Sequence, residues 1–272
     1  MAFLAEKRQL KRISVNLPLV TGLAIFGAVL GISRGMLVDH HLSSWHVLAG
    51  AVLGIIIGLV LSGPEVGEAC REMPKTMKQL GVVQFFTWLG LFCMWMFFTL
   101  ATAQQVFGTI DPKSAQFDLG TAFGGKTFAW YSIVCFIVAF LLPQIAKRTS
   151  RTTVHALALG LGGLSLLATG FIHDRVLWQC TMIGVGVAWA SILAMPYAIL
   201  STALPAGRVG VYMGLFNFFI VIPEIIASLA LEPVVKQLFG NDPVKVVMLG
   251  GASMLIAACA TKFVDDRQSP AG

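Results

Sequence analysis

Residues 212–231 read YMGLFNFFIVIPEIIASLAL, and this apolar stretch decides the fold class of the chain. A membrane helix needs about 17–25 residues, so the stretch is long enough to cross a bilayer. It also contains Glu224, and a charged side chain at the bilayer centre costs about 2.5–3.5 kcal/mol on insertion scales. The stretch therefore predicts a membrane helix that carries a functional polar group.

The composition extends this conclusion to the whole chain. The 272 residues are 57% hydrophobic and 12% charged, whereas soluble domains carry roughly 25% charged residues. Mean hydropathy is +0.82, and no alternating strand pattern competes with the helical one. We expect an all-α integral membrane protein with about eight transmembrane helices. The apolar runs of spanning length lie at 15–36, 44–63, 81–103, 123–146, 153–172, 176–200, 209–231 and 244–263.

Lysine and arginine residues in the short loops predict the orientation of these helices. With the N-terminus in the cytoplasm, thirteen of the 19 Lys and Arg residues fall on the inner side. We therefore expect both termini to be cytoplasmic, in a protein of the cell (inner) membrane. The same bias accounts for the net charge of +6, and no motif for binding nucleic acid is present.

The chain divides into a short and a long part. We expect a two-helix glycine-rich hairpin at 1–62, a cytoplasmic linker at 63–80, a six-helix part at 81–264 and a cytoplasmic tail at 265–272. Glycines four residues apart share one helix face and let two backbones approach closely. A pore or an oligomer contact is the alternative use of these faces. The glycines are Gly27, Gly31 and Gly35 in the first run and Gly50, Gly54 and Gly58 in the second.

The sequence offers little for an enzyme, a metal site or a cofactor. The five cysteines are far apart, and this spacing indicates neither a disulfide framework nor a metal site. His40, His41 and His46 have no acidic or thiol neighbour beyond Asp39, so solvated loop histidines are the simpler interpretation. No Ser, Cys or His near the membrane centre is arranged as a nucleophile with its base. We expect a protein that is not an enzyme and holds no metal or cofactor.

Polar and aromatic residues share one face of the third predicted helix. Tryptophan rings can cover the apolar faces of a sugar while amides bond its hydroxyl groups. Tryptophan in membrane helices also serves as packing or as an interface anchor, and this alternative stays open. The residues on this face are Gln84, Trp88, Leu91, Trp95 and Thr102.

The sixth and seventh predicted helices carry further polar faces. Tyr197 follows Pro196, which removes a helical hydrogen bond and can open a cavity. Asn217, Glu224 and Ser228 share a face of the seventh helix, which we expect to look into the bundle. A carboxyl group there can load and release a proton, so Glu224 is the candidate for proton coupling. The alternative is a structural hydrogen bond from Glu224 to a neighbouring helix.

Four segments carry a resemblance to a known family. They are MPKTMKQL at 73–80, QFFTWLGLFCMW at 84–95, GVGVAWASILAMPYAIL at 184–200 and GVYMGLFNFFIVIPEI at 210–225. Their order and spacing resemble the C-terminal half of sucrose and maltose type sugar:proton symporters, the glycoside-pentoside-hexuronide-like group of the major facilitator superfamily. The resemblance runs from about Arg71 to Val264.

The resemblance implies one six-helix half of a transporter that holds a sugar between two halves and works by alternating access. Candidate sugar-binding residues are then Gln84, Trp88, Trp95, Tyr197 and Asn217. The loop signature of the first half is absent from the sequence, and related proteins usually carry an amide at the position of Glu224. We therefore expect a partial or split sugar:proton symporter that needs a complementing N-terminal half or a homodimer. The alternative is a non-transporting membrane interaction protein or a truncated remnant.

Overall fold

The computed structural model describes residues 17–37, 50–55, 57–58 and 63–266. Within these ranges the regular structure is helical and no strand is present, as expected for an all-α protein. The chain forms two compact units, residues 1–73 and residues 74–272. The helices are α1 (Leu17–Leu37), α2 (Pro64–Arg71), α3 (Lys75–Phe107), α4 (Ala115–Arg148), α5 (Arg151–Ala168), α6 (Arg175–Ala203), α7 (Val209–Gln237) and α8 (Pro243–Thr261).

Helices α3 to α8 correspond to the six later apolar runs, and each is long and apolar enough to cross a membrane, with mean hydropathy between 1.6 and 2.0 in the spanning windows. Of the two earlier runs, the first contains a shorter apolar helix at Val20–Ile32. Most of the second run, and His40, His41 and His46, lie outside the described residues. The all-α membrane fold is therefore confirmed, and six of the eight expected spans are present among the described residues.

Helices α3 and α4 begin earlier than the apolar runs indicated. Helix α3 begins at Lys75, within the segment expected to be a linker. Helix α4 has 34 residues, about 51 Å at 1.5 Å per residue, against a hydrocarbon core of about 30 Å. Its start is capped by the Ser114 side chain, which accepts a hydrogen bond from the Phe117 backbone N–H. These helices therefore extend beyond the apolar core of a bilayer.

The first unit contains a close contact between glycines of α1 and of the helical residues 50–55 and 57–58. A Cβ atom on Gly27 would collide with the carbonyl oxygen of Gly50, and one on Gly50 with that of Gly27. Gly58 lies in the same way against Val20. The two glycine faces therefore meet backbone to backbone, which is a common way for helices to associate in lipid.

In the second unit, two consecutive glycines let α8 pack closely between α3 and α5. A Cβ atom on Gly250 would lie 2.6 Å from the carbonyl oxygen of Gly90 in α3. One on Gly251 would lie 2.7 Å from the carbonyl oxygen of Gly163 in α5. Distances this short exclude any side chain, so the two glycines let the last helix pack directly on the backbones of α3 and α5.

Polar contacts join the chain after α8 to the start of α3. The hydroxyl group of Thr76 donates to the carbonyl oxygen of Asp265, and the backbone N–H of Asp265 donates to Oε1 of Gln79, both at 3.0 Å. The neighbouring Asp266 pairs with Arg151 at the start of α5, at 2.8 Å. Asp265 and Asp266 thus link the beginnings of α3 and α5 at one end of the unit.

Candidate functional site

Three tryptophans from two helices form an aromatic cluster inside the six-helix unit. Trp88 and Trp95 of α3 lie 6.1 Å apart between ring centroids. Trp189 of α6 lies 6.0 Å from Trp88 and 5.4 Å from Trp95, and all three pairs meet edge to face. We call these three residues the tryptophan triad. Each of them is half-buried, so part of every ring remains uncovered by the unit.

Several polar atoms beside the triad are buried without a partner in the described chain. Both amide atoms of Gln84 are unpaired, although the side chain is fully buried. The indole Nε1 of Trp88 and the hydroxyl group of Thr87 are also buried and unpaired. Buried polar groups are nearly always hydrogen-bonded, and each unpaired one costs about 1–3 kcal/mol. This cluster of donors and acceptors therefore indicates a place for water or for a polar ligand.

Two other residues of the predicted α3 face serve the packing of the unit. The hydroxyl group of Thr102 donates to the carbonyl oxygen of Phe98 at 2.7 Å and accepts from the indole Nε1 of Trp178 at 3.0 Å. Leu91 is buried in the interior. The face predicted from helical spacing thus separates into a part around the triad, with Gln84, Trp88 and Trp95, and a part that packs the unit, with Leu91 and Thr102.

Tyr197 lies further along α6, beyond Trp189. Its ring meets that of Phe216 in α7 edge to face, with centroids 5.7 Å apart, and the residue is half-buried. Pro196 lies within the continuous helix α6. Tyr197 therefore joins α6 to α7 and makes no ring contact with the triad among the described residues.

The polar face of α7 does not look into the six-helix unit, so our expectation for its direction was wrong. Asn217, Val221 and Ser228 are exposed, and Glu224 is half-buried. The buried side of α7 is instead set by large apolar residues such as Tyr212 and Phe216. Helical steps show which residues share a face, whereas packing decides which face is covered.

Glu224 nevertheless lies close to the level of the triad. Gly81 of α3 lies against the ring of Phe219, and Cys93 shares an apolar cluster with Ala227 and Leu231. The two helices therefore run in the same direction, with Glu224 close to the level of Trp88. In the described structure the Glu224 carboxyl group makes no hydrogen bond or ion pair, so the expected structural bond to a neighbouring helix is not seen there.

The fold and the site define a class of protein. An all-α membrane unit that holds unpaired amide, hydroxyl and indole groups beside three tryptophans is typical of membrane proteins that bind a polar solute between their helices. The chain is an integral membrane protein.

Comparison with known proteins shows that the chain is similar to sucrose transport proteins. The chain is 22% identical to sucrose transport protein SUC4 of Arabidopsis thaliana over 220 residues, which cover 74% of this chain and 41% of that protein. It is 24% identical to sucrose transport protein SUT1 of Oryza sativa subsp. japonica over 231 residues, 75% of this chain and 43% of that protein. Solute carrier family 45 member 3 of Macaca fascicularis is 18% identical over 177 residues, 63% of this chain and 31% of that protein. The similarity to sucrose transport proteins confirms the resemblance expected from the motifs.

The chain spans about two fifths of the length of the sucrose transport proteins that it matches. No protein-family model matches it.

Proposed function

We propose that helices α3 to α8 are one half of a sugar transporter that binds a disaccharide similar to sucrose or maltose. The observation that carries this proposal is the unpaired polar cluster of Gln84, Thr87 and Trp88 beside the tryptophan triad. Amide and indole groups can bond sugar hydroxyl groups, and the uncovered parts of the tryptophan rings can meet the apolar face of a sugar ring. The similarity to sucrose transport proteins supports the same solute class.

The other wall of the binding site comes from a second six-helix half. The exposed face of α7 with Asn217 and Glu224 is polar, and polar groups facing lipid at membrane depth are costly. A complementing N-terminal half, or a second copy of the chain, would cover this face and complete the cavity. Transport then follows by rocking of one half on the other, with Asn217 and Tyr197 close to the moving boundary.

Proton symport is assigned to Glu224 in this proposal. The carboxyl group lies close to the level of Trp88, on the face that the second half would cover. A proton carried there would neutralise the group while the cavity is closed from water. By the charges in the loops, both termini lie in the cytoplasm.

The alternative of a non-transporting interaction protein is less well supported. A protein that only packs against partners gains nothing from buried, unpaired polar groups, because each of them lowers stability. The cluster at Gln84 and Trp88 is instead the arrangement expected of a site that a solute completes.

The test is a sugar-dependent change in tryptophan fluorescence of the purified chain, with sucrose or maltose as the probe. Replacing Trp88 or Trp95 by Ala should weaken the response while leaving expression and membrane insertion intact. Trp130→Ala is the matched control, because Trp130 is exposed on α4 and has no contact with the triad in the described structure. An equal loss of response in Trp130→Ala, or loss of folding in both triad variants, would contradict the proposal.

A further inference from the structure

A fully buried histidine links α5 to α6 behind the tryptophan triad. Nδ1 of His155 and the hydroxyl oxygen of Ser191 are hydrogen-bonded at 2.9 Å, and both side chains are completely buried. Nε2 of the same ring is buried and has no partner among the described residues. Within the described unit, the hydroxyl group of Ser191 is therefore the only hydrogen-bond partner of this imidazole.

Ser191 and Trp189 lie on opposite sides of α6. Two residues along an α-helix correspond to a rotation of about 200°. The side of α6 with Ser191 faces α5, and the side with Trp189 faces Trp88 and Trp95 of α3. Any rotation of α6 about its axis would therefore move both contacts at once.

The other contacts between α5 and this part of α6 do little to fix its rotation. A Cβ atom on Gly162 would lie 2.6 Å from that of Ala188, and Gly184 packs against Ser165. Small residues let the helices approach closely, but their contacts are not directional. Arg151 donates to the carbonyl oxygen of Ala198 at 2.7 Å, but this bond lies beyond Pro196, which removes one hydrogen bond from the otherwise continuous helix.

We infer that the hydrogen bond between His155 and Ser191 is a positioning contact that fixes the rotation of α6 close to Trp189 and so holds that ring in the triad, whereas the bond from Trp178 to Thr102 holds the first part of the helix. His155 acts through Ser191 and the helix, and it does not touch the sugar. The expected effect on sugar binding rests on the proposed function of the triad. The expected effect on the geometry of the triad does not depend on that function.

The pair offers variants that separate a positioning role from general packing. Ser191→Ala removes one buried oxygen atom and adds no bulk. His155→Asn keeps a polar group close to the position of Nδ1 and so keeps the bond to Ser191. Thr181→Val is the matched control, because the hydroxyl group of Thr181 bonds only within α6, to the carbonyl oxygen of Trp178 at 2.7 Å.

The experiment measures exciton circular dichroism of the coupled indole rings in the purified full chain, and sugar affinity by fluorescence. Ser191→Ala is expected to diminish the exciton signal and to raise the apparent Kd about threefold, the factor for one hydrogen bond between membrane helices. His155→Asn should keep both values close to those of the unmodified chain, and so should Thr181→Val.

An unchanged exciton signal in Ser191→Ala would overturn the inference, and so would an equal loss in Thr181→Val. Loss of the signal in His155→Asn would do the same, because that variant retains the bond. A diminished exciton signal in a chain that shows no sugar response would support the positioning role and count against the proposed function alone. The two failures are therefore distinguishable.

Discussion

Replacing Gln84 with leucine is expected to stabilise the protein and to remove its response to sugar. The Gln84 side chain is fully buried and both of its amide atoms are unpaired within the described unit. An unpaired buried polar group costs about 1–3 kcal/mol, and leucine fills a similar volume without that cost. In domains of this size each kcal/mol shifts Tm by about 2–4 °C. We therefore expect Gln84→Leu to raise Tm by about 2–12 °C in the absence of sugar.

The matched control is Thr102→Val on the same face of α3. Thr102 is also fully buried, but its hydroxyl group bonds Trp178 and the backbone. The valine variant leaves the Trp178 indole N–H without its partner, so Tm should fall, while the response to sugar should persist. Thermal unfolding of both variants in detergent, with and without sucrose, measures the two effects. A similar fall of Tm in both variants would show that Gln84 makes a structural hydrogen bond, and the reasoning would be refuted.

Two further predictions concern proton coupling by Glu224 and the orientation of the chain in the membrane. Glu224→Gln keeps the shape of the side chain and removes its titration, so with a complementing half the variant should still bind sugar but lose pH-dependent accumulation. Ser228→Ala on the same face is its control, and unchanged uphill transport in Glu224→Gln would exclude the proton role. Lys113→Cys and Thr149→Cys place thiols at exposed positions at opposite ends of α4, and a membrane-impermeant reagent should label the first from outside and the second from the cytoplasm. Burial raises the pKa of the Cys70 thiol, so this native cysteine should react slowly, and the reverse labelling pattern would overturn the orientation.

The class of protein and its six spanning helices could be predicted because bilayer thickness imposes a long apolar run on every span. The same reasoning misplaced the starts of α3 and α4. The first turns of these helices are polar because they extend beyond the hydrocarbon core. In the sequence, polar residues next to an apolar run were interpreted as part of a loop. Segments such as Lys75–Phe107 are therefore longer in the structure than their apolar part.

The candidate site was predicted in part. Gln84, Trp88 and Trp95 could be grouped because they share a face of a single helix. Trp189 was missed, because its partners lie on another helix and only tertiary packing brings them together. A signal was present in the run GVGVAWAS at 184–191, where one large ring stands among small residues. The direction of the Glu224 face was missed for the same physical reason, since helical spacing carries no information about neighbouring helices.

The close glycine contact between α3 and α8 has a consequence for the biosynthesis of the protein. Gly90 of the first spanning helix of the unit is covered by Gly250 of the last, and the start of α3 is bonded to Asp265. While the ribosome is still making α4 to α7, these surfaces of α3 have no partner. The unit therefore reaches its final arrangement only after its last helix has been released into the membrane. Until then, lipid or an insertion factor must cover the surface of α3 that later contacts α8.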